Sequence, residues 1–431
     1  MGLADWQALT PYDRARRLAD THDRVEAATH GEWITVLRDR PSGAGPLSGI
    51  PFSVKDNTDV RGVPTTAGSP LLPDSPADLD ASVVGTLVDA GAVVVGKTNL
   101  HELAFGITSN NRTFGPVRNP VDPTRSAGGS SGGSAVGVAL GVVPFALGTD
   151  TGGSITIPAS FCGVVGFRPS TGRYAGDGVV NLSSTRDTIG VHARTVRDVR
   201  TVDGIITGST DGTPVPLAGL RVGLPRSRFH DVDPEVTRVV RAAVDVLRGA
   251  GALVLDVDLG DDLAIAGTAG IELVLFEAPG LLARRVSLAP ERWPDRIASP
   301  GVRALIERMI ATPLPVDTYA RARTDRLRLR RAYSGVLRRV DVLLSPTVPV
   351  TAPVIGEDDS LTLNGRSVPT FATVTRNTSP GTIAGVPMIS LPAGTTHAGL
   401  PVGLCLEGSP FDDLRLLGVA DAVERTLSAS A

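Results

Sequence analysis

Residues 80–98 read DASVVGTLVDAGAVVVGKT, and their pattern determines the predicted fold class. Asp80 can cap a helix whose apolar residues recur at helical spacing, and Gly91 ends that helix. Three consecutive valines follow, and their β-branched side chains favour a buried strand. The stretch therefore predicts a helix, a tight turn and a strand in that order.

The same stretch ends in GAVVVGKT, residues 91–98, which fits the phosphate-binding pattern G-x-x-x-x-G-K-[ST]. Such a P-loop must follow a strand and open a helix, so that backbone N–H groups face the phosphate. Here the order is the reverse. A buried strand that ends in a turn at Lys97 is favoured, and a nucleotide-binding protein is kept as the least favoured alternative.

The helix-then-strand unit recurs outward from this stretch. The helical pattern of residues 234–251 precedes the strand-like ALVLDVDL, and an Arg-rich helical stretch near 317–339 precedes VDVLLSPTVPV. A last amphipathic helix is predicted in DDLRLLGVADAVERTL. This rhythm predicts an α/β protein with a mixed, mostly parallel sheet covered by helices.

Composition excludes several classes of function. The 431 residues carry a net charge of −3 with 42% hydrophobic residues, so nothing favours nucleic acid or an anionic membrane surface as a partner. Cys162 and Cys405 each lie in an apolar run, which is typical of buried thiols rather than of a disulfide or metal site. We find no signal peptide and no stretch approaching the roughly 18 apolar residues of a membrane span. A cytoplasmic protein is expected.

Three separated stretches contain polar residues suited to chemistry. Lys55 follows an apolar run in GIPFSVKDN, Ser130 and Ser131 lie between paired glycines in SAGGSSGGS, and Ser154 follows two glycines in GTDTGGSITIPAS. The segment between the two glycine clusters predicts a short buried helix that leads into a buried strand. Each stretch alone is a weak signal, because serines among glycines are usually turn residues.

A serine nucleophile needs a base, and the usual base is histidine. None of the six histidines lies beside a G-x-S-x-G motif, so a Ser-His-Asp enzyme is left open only through tertiary proximity; His101 and His192 are expected to be structural or to line a pocket. A buried lysine can act instead, because desolvation lowers its pKa. Glycine N–H groups before Ser154 would stabilise an oxyanion. This chemistry favours acyl transfer.

Taken together, the three stretches resemble the amidase signature family, from about residue 45 to the last helix. The resemblance implies a single large α/β/α domain with a central mixed sheet. It also implies a triad in which Ser154 is the nucleophile, Ser130 a bridging serine preceded by a cis peptide bond, and Lys55 the base. The implied reaction is hydrolysis of an amide C–N bond through an acyl-enzyme, with no cofactor and no metal.

Further roles follow from the same resemblance. The implied oxyanion hole consists of the backbone N–H groups of Thr151, Gly152, Gly153 and Ser154. Ser131 and Gly129 are implied to support this network. Two positions depart from the family pattern. Thr156 stands where arginine is frequent, and Ala127 stands where proline commonly precedes the double glycine.

The substrate and the partners are less specified. KTNLHELAFGITSNN, STRDTIGV and RNTSPGTIAGVP resemble the branch that contains mandelamide hydrolase and indoleacetamide hydrolase, which implies a primary arylacetamide. Phe105, Phe276 and Met309 are candidate pocket residues. The expected partner is a small-molecule amide, a homodimer is left open, and nucleic acid and membrane are not expected. The alternative is the amidase subunit of a tRNA-dependent amidotransferase, which would need a partner protein.

Residues 1–431 are expected to form one amidase signature domain in four parts. These are an N-terminal helical segment (about 1–40), a catalytic core (about 45–205), a variable substrate-shaping region (about 206–340) and a C-terminal part (about 341–431) that completes the sheet.

Overall fold

The computed structural model describes residues 1–38, 40, 43–209 and 214–430, and within them fifteen strands form one sheet of eleven strands and two sheets of two strands each. The strands are β1 (Trp33–Val36), β2 (Pro51–Lys55), β3 (Val93–Thr98), β4 (Asn110–Asn111), β5 (Gly115–Pro116), β6 (Phe145–Asp150), β7 (Val165–Arg168), β8 (Thr188–Ala193), β9 (Arg221–Pro225), β10 (Leu253–Val257), β11 (Val342–Pro346), β12 (Ser360–Leu363), β13 (Arg366–Pro369), β14 (Met388–Thr395) and β15 (Pro401–Glu407). The α-helices are α1 (Leu3–Gln7), α2 (Pro11–Glu26), α3 (Ser82–Asp89), α4 (Gly132–Ala139), α5 (Thr156–Cys162), α6 (Val196–Thr207), α7 (Pro234–Gly249), α8 (Asp262–Leu282), α9 (Pro300–Ala311), α10 (Val316–Leu337), α11 (Thr370–Thr375), α12 (Ser379–Ala384) and α13 (Asp413–Ser430).

The order of the large sheet is β1-β3-β2-β6-β8-β7-β14-β15-β11-β9-β10. Four neighbouring pairs are parallel: β3 with β2, β2 with β6, β11 with β9, and β9 with β10. The other six pairings within the described sheet are antiparallel. The α/β class and the mixed sheet are confirmed, whereas the expectation of a mostly parallel sheet is wrong. The reason is that β8 enters between β6 and β7 and runs against both, and that β14 and β15 form a hairpin.

The helix and strand predicted from residues 80–98 are α3 and β3. Gly91 forms the turn between them with φ of +99°, and a Cβ atom there would lie 2.7 Å from Ser48 Cα. One detail differs from expectation, since Ala81 is the N-cap and Asp80 Oδ1 instead accepts a hydrogen bond from Arg61 N at 2.7 Å. Because residues 93–98 are a buried strand, the phosphate-loop interpretation has no structural support.

Helices cover both faces of the sheet. Helices α3, α6, α7 and α13 share one apolar cluster with Phe52, Val54, Phe145 and Leu147. Ala146 belongs to a different cluster, which contains residues of α4 and α5. Since side chains alternate between the faces of a strand, Lys55 projects from β2 towards the α4 and α5 side. This alternation places Lys55 in the interior, near the serines that precede α4.

The α8 helix is long and apolar enough, by length and composition, to cross a membrane, with a mean hydropathy of 1.4 over its most apolar window. The expectation that no stretch approaches this composition was therefore wrong. Core helices pass the same test. α8 packs against α10 and α12, and 44% of its most apolar window is buried inside the protein.

The predicted division of the chain differs from the structure in one detail. The segment expected to be helical up to about residue 40 also contains β1, which is an edge strand of the sheet. The region 206–340 contains β10 where the strand ALVLDVDL was predicted, together with β9, α8 and α9. Residue 39 and residues 41, 42, 210–213 and 431 lie outside the described residues.

Candidate active site

Lys55 is the last residue of β2, and its side chain is completely buried. Its Nζ atom donates a hydrogen bond to Ser130 Oγ at 2.7 Å. It also contacts Ser131 Oγ and Thr149 Oγ1, each at 2.9 Å. The structure thus brings Lys55 into contact with Ser130, which lies 75 residues further along the chain.

The surroundings of Lys55 favour its neutral form. Burial lowers the pKa of Lys55 to about 7, an effect that the carboxylates of Asp150 and Asp187 oppose from a distance. Within the described residues, the hydrogen-bond partners of Nζ are hydroxyl groups, and it forms no ion pair. An amine with a pKa near neutrality is partly deprotonated at physiological pH and can accept a proton.

Ser130 and Ser131 lie directly before α4, and the Gly129–Ser130 peptide bond is cis. Ser131 Oγ donates to Thr149 O at 3.1 Å and so connects this loop to β6. Gly129 has a steric reason to be glycine, because a Cβ atom there would lie 2.8 Å from Ser109 Oγ. Packing therefore holds both serine hydroxyls against the amine.

The loop that carries Ser154 follows β6 and is fixed by the carboxylate of Asp150. This carboxylate accepts hydrogen bonds from Gly153 N at 2.9 Å and Ile155 N at 2.8 Å, and it forms an ion pair of 2.9 Å with buried Arg168. Gly153 has φ of +118°, and a Cβ atom there would collide with Thr378. Ser154 itself is 5% exposed and borders a cavity.

One of the four N–H groups expected in the oxyanion hole is already engaged. Gly153 N–H donates to Asp150 Oδ1 at 2.9 Å, so this donor already has an acceptor within the protein, which the resemblance did not imply. The N–H groups of Thr151, Gly152 and Ser154 remain candidates. Thr151 is held by its side chain, which donates to Asp187 Oδ1 at 2.6 Å.

A cavity of about 510 Å³ opens onto Thr151, Gly152 and Ser154. Its walls are mainly apolar and come from residues 104–107, α8, α9 and α11, and its charged lining residues are Arg186 and Arg376. Phe105 lines this cavity as expected. Phe276 and Met309 do not line it, which corrects the expectation from sequence.

Phe276 and Met309 each pack against other parts of the protein. The ring of Phe276 stacks on Tyr319 with centroids 4.0 Å apart, on the side of α8 that faces α10. Met309 is buried in an apolar cluster with Trp293 and Ile306. Sequence periodicity cannot distinguish the cavity-facing side of such helices from the side that packs on a neighbour.

Known proteins resemble this chain over most of its length. Residues 26–417 match the family model described as Amidase. The chain is 38% identical to an indoleacetamide hydrolase of Agrobacterium vitis over 90% of this chain and 86% of that protein, and 37% identical to a mandelamide hydrolase of Pseudomonas putida over 89% and 79%. A crystal structure of an amidase superposes with a TM-score of 0.89 at 33% identity, covering 99% of both chains.

The chain belongs to the amidase signature family. It is accordingly an amide-hydrolysing enzyme. The matched region contains Lys55 and the three residues whose hydroxyl groups contact its amine, Ser130, Ser131 and Thr149.

The histidines of this amidase do not act on the serines in the structure. His192 Nε2 lies 2.9 Å from the carbonyl oxygen of Ile155, and burial lowers the pKa of His192 to about 4. His101 Nδ1 contacts Thr108 Oγ1 at 3.3 Å. Neither imidazole ring hydrogen-bonds to Ser130 or Ser154 within the described part of the chain, although the backbone N–H of His101 donates to Ser130 O at 3.2 Å. The same residues contain no group of three or more His, Cys, Asp or Glu side chains arranged to hold a metal ion.

Several residues at the site of this amidase were missed at the level of sequence. Thr149 contacts Lys55 and accepts a hydrogen bond from Asn57 Nδ2 at 3.0 Å, while Asp150 fixes the glycine loop. A signal existed for these three, since each is a polar residue inside or beside a motif already identified. Arg186 lies inside STRDTIGV, which served only for its resemblance to the branch and to which no role at the site was given.

The two departures from the family pattern are both buried in this amidase. Thr156 begins α5, and its hydroxyl contacts Gly153 O at 3.4 Å, so it adds a weak constraint on the same loop. Ala127 N donates to Val117 O at 3.2 Å. Proline lacks this donor, so the hydrogen bond is available here only because residue 127 is not proline.

Proposed function

We propose that this amidase hydrolyses the C–N bond of a small carboxamide through an acyl-enzyme, with Ser154 as nucleophile, Ser130 as proton relay and Lys55 as base. The observation that carries the proposal is the buried Lys55 amine, 2.7 Å from Ser130 Oγ and surrounded by hydroxyl groups. A base with a pKa near the working pH is the most effective proton acceptor.

The first half of the reaction forms the acyl-enzyme. Neutral Lys55 accepts the proton of Ser130, Ser130 accepts the proton of Ser154, and Ser154 Oγ attacks the carbonyl carbon of the amide. The carbonyl oxygen becomes an oxyanion, which accepts hydrogen bonds from the free N–H groups of the 151–154 loop. The relay then returns a proton through Ser130 to the leaving nitrogen, the C–N bond breaks, and ammonia departs.

The second half uses water. A water molecule gives a proton to the same relay and attacks the ester carbon of the acyl-enzyme. The ester bond to Ser154 then breaks, Ser154 Oγ regains a proton, and the carboxylic acid is released. The sum is amide plus water to acid plus ammonia, and the lysine returns to its starting state.

The surrounding residues keep the relay in place. Thr149 and Ser131 hold the Lys55 amine, and Asn57 in turn donates to Thr149. Asp150 and Arg168 fix the loop on which the oxyanion would form. A preformed donor array needs no reorganisation during the reaction, which is the source of its catalytic effect.

The proposed substrate is a primary amide with an apolar aromatic acyl group, such as an arylacetamide. A cavity of about 510 Å³ with mainly apolar walls and no acidic lining residue suits such a group, and it disfavours a cationic one. The named activities of two relatives, indoleacetamide hydrolase and mandelamide hydrolase, support the same class.

The decisive experiment measures ammonia released from a panel of primary amides by the purified chain alone. Arylacetamides should be hydrolysed faster than aliphatic or cationic amides of similar size. Ser154→Ala should abolish both ammonia release and the covalent acyl adduct seen by mass spectrometry, whereas Ser428→Ala, at an exposed position of α13, should not. Normal turnover by Ser154→Ala would discard the nucleophile assignment.

The same panel of amides distinguishes the proposed hydrolase from the alternative, an amidotransferase subunit. That function would require a partner protein before ammonia is released, whereas the proposed hydrolase acts alone. The oligomeric state of the active species, for which a homodimer stays a prediction, is measured by sedimentation of the purified chain.

The size of the acyl group can be tested on α8. Gly267 lines the cavity, and a Cβ atom there would meet nothing within 4 Å, so Gly267→Leu should fill the cavity without disturbing the helix. We expect a selective loss of turnover for aryl substrates, with acetamide hydrolysis retained. Gly280→Leu is the matched control, because Gly280 is equally open on the same helix but does not line the cavity. An unchanged aryl preference in Gly267→Leu would place the acyl group elsewhere.

A further inference from the structure

A buried cation beside the active-site cavity has no role in the proton relay. Arg186 is 4% exposed and lies in the segment directly before β8. Its Nη1 atom donates to Gly270 O at 2.6 Å and its Nη2 atom to Thr382 Oγ1 at 3.0 Å. Its Nε atom has no hydrogen-bond partner within the described residues.

The partners of Arg186 differ from those of the other fully buried arginines. Arg168 forms an ion pair with Asp150 at 2.9 Å, and Arg228 forms one with Asp262 at 2.9 Å. Across the described part of the chain, Arg186 contacts a carbonyl and a hydroxyl but no carboxylate within ion-pair distance. A buried charge that lacks a contacting counter-ion is costly, so such a charge usually has a functional reason.

Arg186 also lies against the glycine loop. It lines the same cavity as Thr151, Gly152 and Ser154, and a Cβ atom built on Gly152 would be 3.6 Å from Arg186 Nη2. The neighbouring Asp187 accepts the hydroxyl hydrogen bond of Thr151, so the 186–187 segment and the loop are held together. The guanidinium is therefore close to Gly152, in the loop whose N–H groups are the proposed oxyanion donors.

We propose that Arg186 supplies the positive charge of the oxyanion site, and thereby stabilises the negative charge that develops on the substrate carbonyl oxygen. This inference rests on the proposed function. Burial lowers the pKa of Arg186 to about 10, so the group stays cationic at neutral pH. In a site shielded from water, a fixed charge acts over a longer distance than a neutral donor, and it favours the anionic transition state over the neutral substrate. Arg186 acts through its fixed positive charge and takes no part in proton transfer.

The experiment compares kcat and KM for an uncharged arylacetamide in three variants. Arg186→Gln removes the charge, and we expect kcat to fall at least about tenfold with little change in KM, since loss of a whole oxyanion donor costs roughly 10²–10³ in kcat. Arg186→Lys keeps a cation and should lie between wild type and Arg186→Gln. Arg326→Gln is the control, because Arg326 also anchors nearby carbonyls, Ile383 O and Thr185 O, but does not line the cavity.

The affinity of an anionic transition-state analogue distinguishes an electrostatic role of Arg186 from a purely structural one. A trifluoromethyl ketone analogue forms an anionic adduct with the serine, so its affinity should fall in Arg186→Gln in parallel with kcat/KM, while the affinity of a neutral product-like ligand should not. Wild-type kcat in Arg186→Gln would overturn the inference. So would a loss confined to the KM of a carboxylated amide, which would mean that Arg186 binds a substrate carboxylate.

A second variant distinguishes loss of folding from loss of the Arg186 charge. If Arg186→Gln does not fold, Arg186→Lys decides, because its shorter side chain withdraws the charge from Gly152 and must lower kcat at unchanged KM. Wild-type kcat in that variant would equally overturn the inference. Failure of the proposed function looks different, since wild type would then release no ammonia from any amide, or Ser154→Ala would remain active.

Discussion

Two lysines on neighbouring strands are buried to the same extent but have different partners. Lys55 ends β2 and Lys97 lies near the end of β3, where Val54 pairs with Lys97 across the two parallel strands. Both side chains are fully buried. Lys97 Nζ forms an ion pair with Asp56 Oδ1 at 3.1 Å, whereas Lys55 Nζ contacts only hydroxyl groups among the described residues.

This difference shows how a neighbouring group decides what a buried amine does. Burial lowers the pKa of both lysines, but at Lys97 the Asp56 carboxylate in direct contact opposes that effect. Lys97 therefore holds β3 to the loop after β2 as half of an ion pair. Lys55 has no such partner and is available to exchange a proton. Lys97, which lies inside the phosphate-loop pattern, is structural. Lys55, which lies in no phosphate-loop pattern, is at the proposed site.

The largest effect is expected from Lys55→Met. Loss of the base should lower kcat/KM by about 10²–10⁴, while the fold persists because no buried carboxylate loses its counter-ion. Steady-state kinetics and thermal unfolding measure the two quantities together. Turnover within a few-fold of wild type would remove Lys55 from the mechanism.

Lys97→Met should produce the opposite result. It leaves the Asp56 carboxylate buried without a cation, so we expect the free energy of unfolding to fall by about 3–5 kcal/mol, with kcat of the folded enzyme little changed. Urea unfolding measures the loss. In the double variant Asp56→Asn/Lys97→Met the loss should be smaller than the sum of the two single losses, and strict additivity would argue against a direct ion pair.

The pH dependence of the wild type is the third test. Because the pKa of Lys55 is lowered to about 7, its neutral fraction grows as pH rises through 7 and is lost below it. The value of kcat/KM should therefore be about a hundredfold lower at pH 5 than on the plateau above pH 8. A profile that stays flat from pH 5 to 9 would contradict a lysine base.

The smallest effect comes from making Lys55 resemble Lys97. Thr149→Asp places a carboxylate at a position that now contacts Nζ at 2.9 Å, and a charge at that distance should raise the pKa of Lys55 by about 1–3 units. At pH 7 the rate should then fall at least about fivefold and recover as pH is raised. Thr149→Asn has the same shape without the charge, so an identical pH profile in both variants would refute the electrostatic explanation.

The fold was predictable where a local pattern coincided with a repeated unit. α3 and β3, α7 and β10, and α10 and β11 all lie where helical periodicity precedes an apolar run. The antiparallel centre of the sheet was not predictable in this way, because β8 inserts between β6 and β7 through pairing with residues far along the chain. Strand order depends on such long-range pairing, which leaves no local periodicity.

The motifs of the site were predictable from sequence, whereas the residues that line its cavity were not. Lys55, Ser130 and Ser154 lie in stretches where glycine and polar residues interrupt apolar runs, and this contrast is visible in sequence. Phe276 and Met309 were misplaced because an apolar side chain on a helix packs equally well in a core or on a cavity. Gly153 was misassigned as an oxyanion donor because its N–H bonds to Asp150, a contact within a tight loop that residue type alone does not reveal.

By itself the sequence determined that this is an α/β protein with glycine-rich loops, two candidate serines and a lysine that an apolar strand carries inside. Periodicity and composition are local properties, and they suffice for those conclusions. Only the tertiary structure decided which buried lysine lies beside a carboxylate and which beside hydroxyl groups, and that Arg186 lies against the loop of Ser154. These choices depend on distances between residues far apart in the chain, and burial strengthens every such contact because little water remains to screen it.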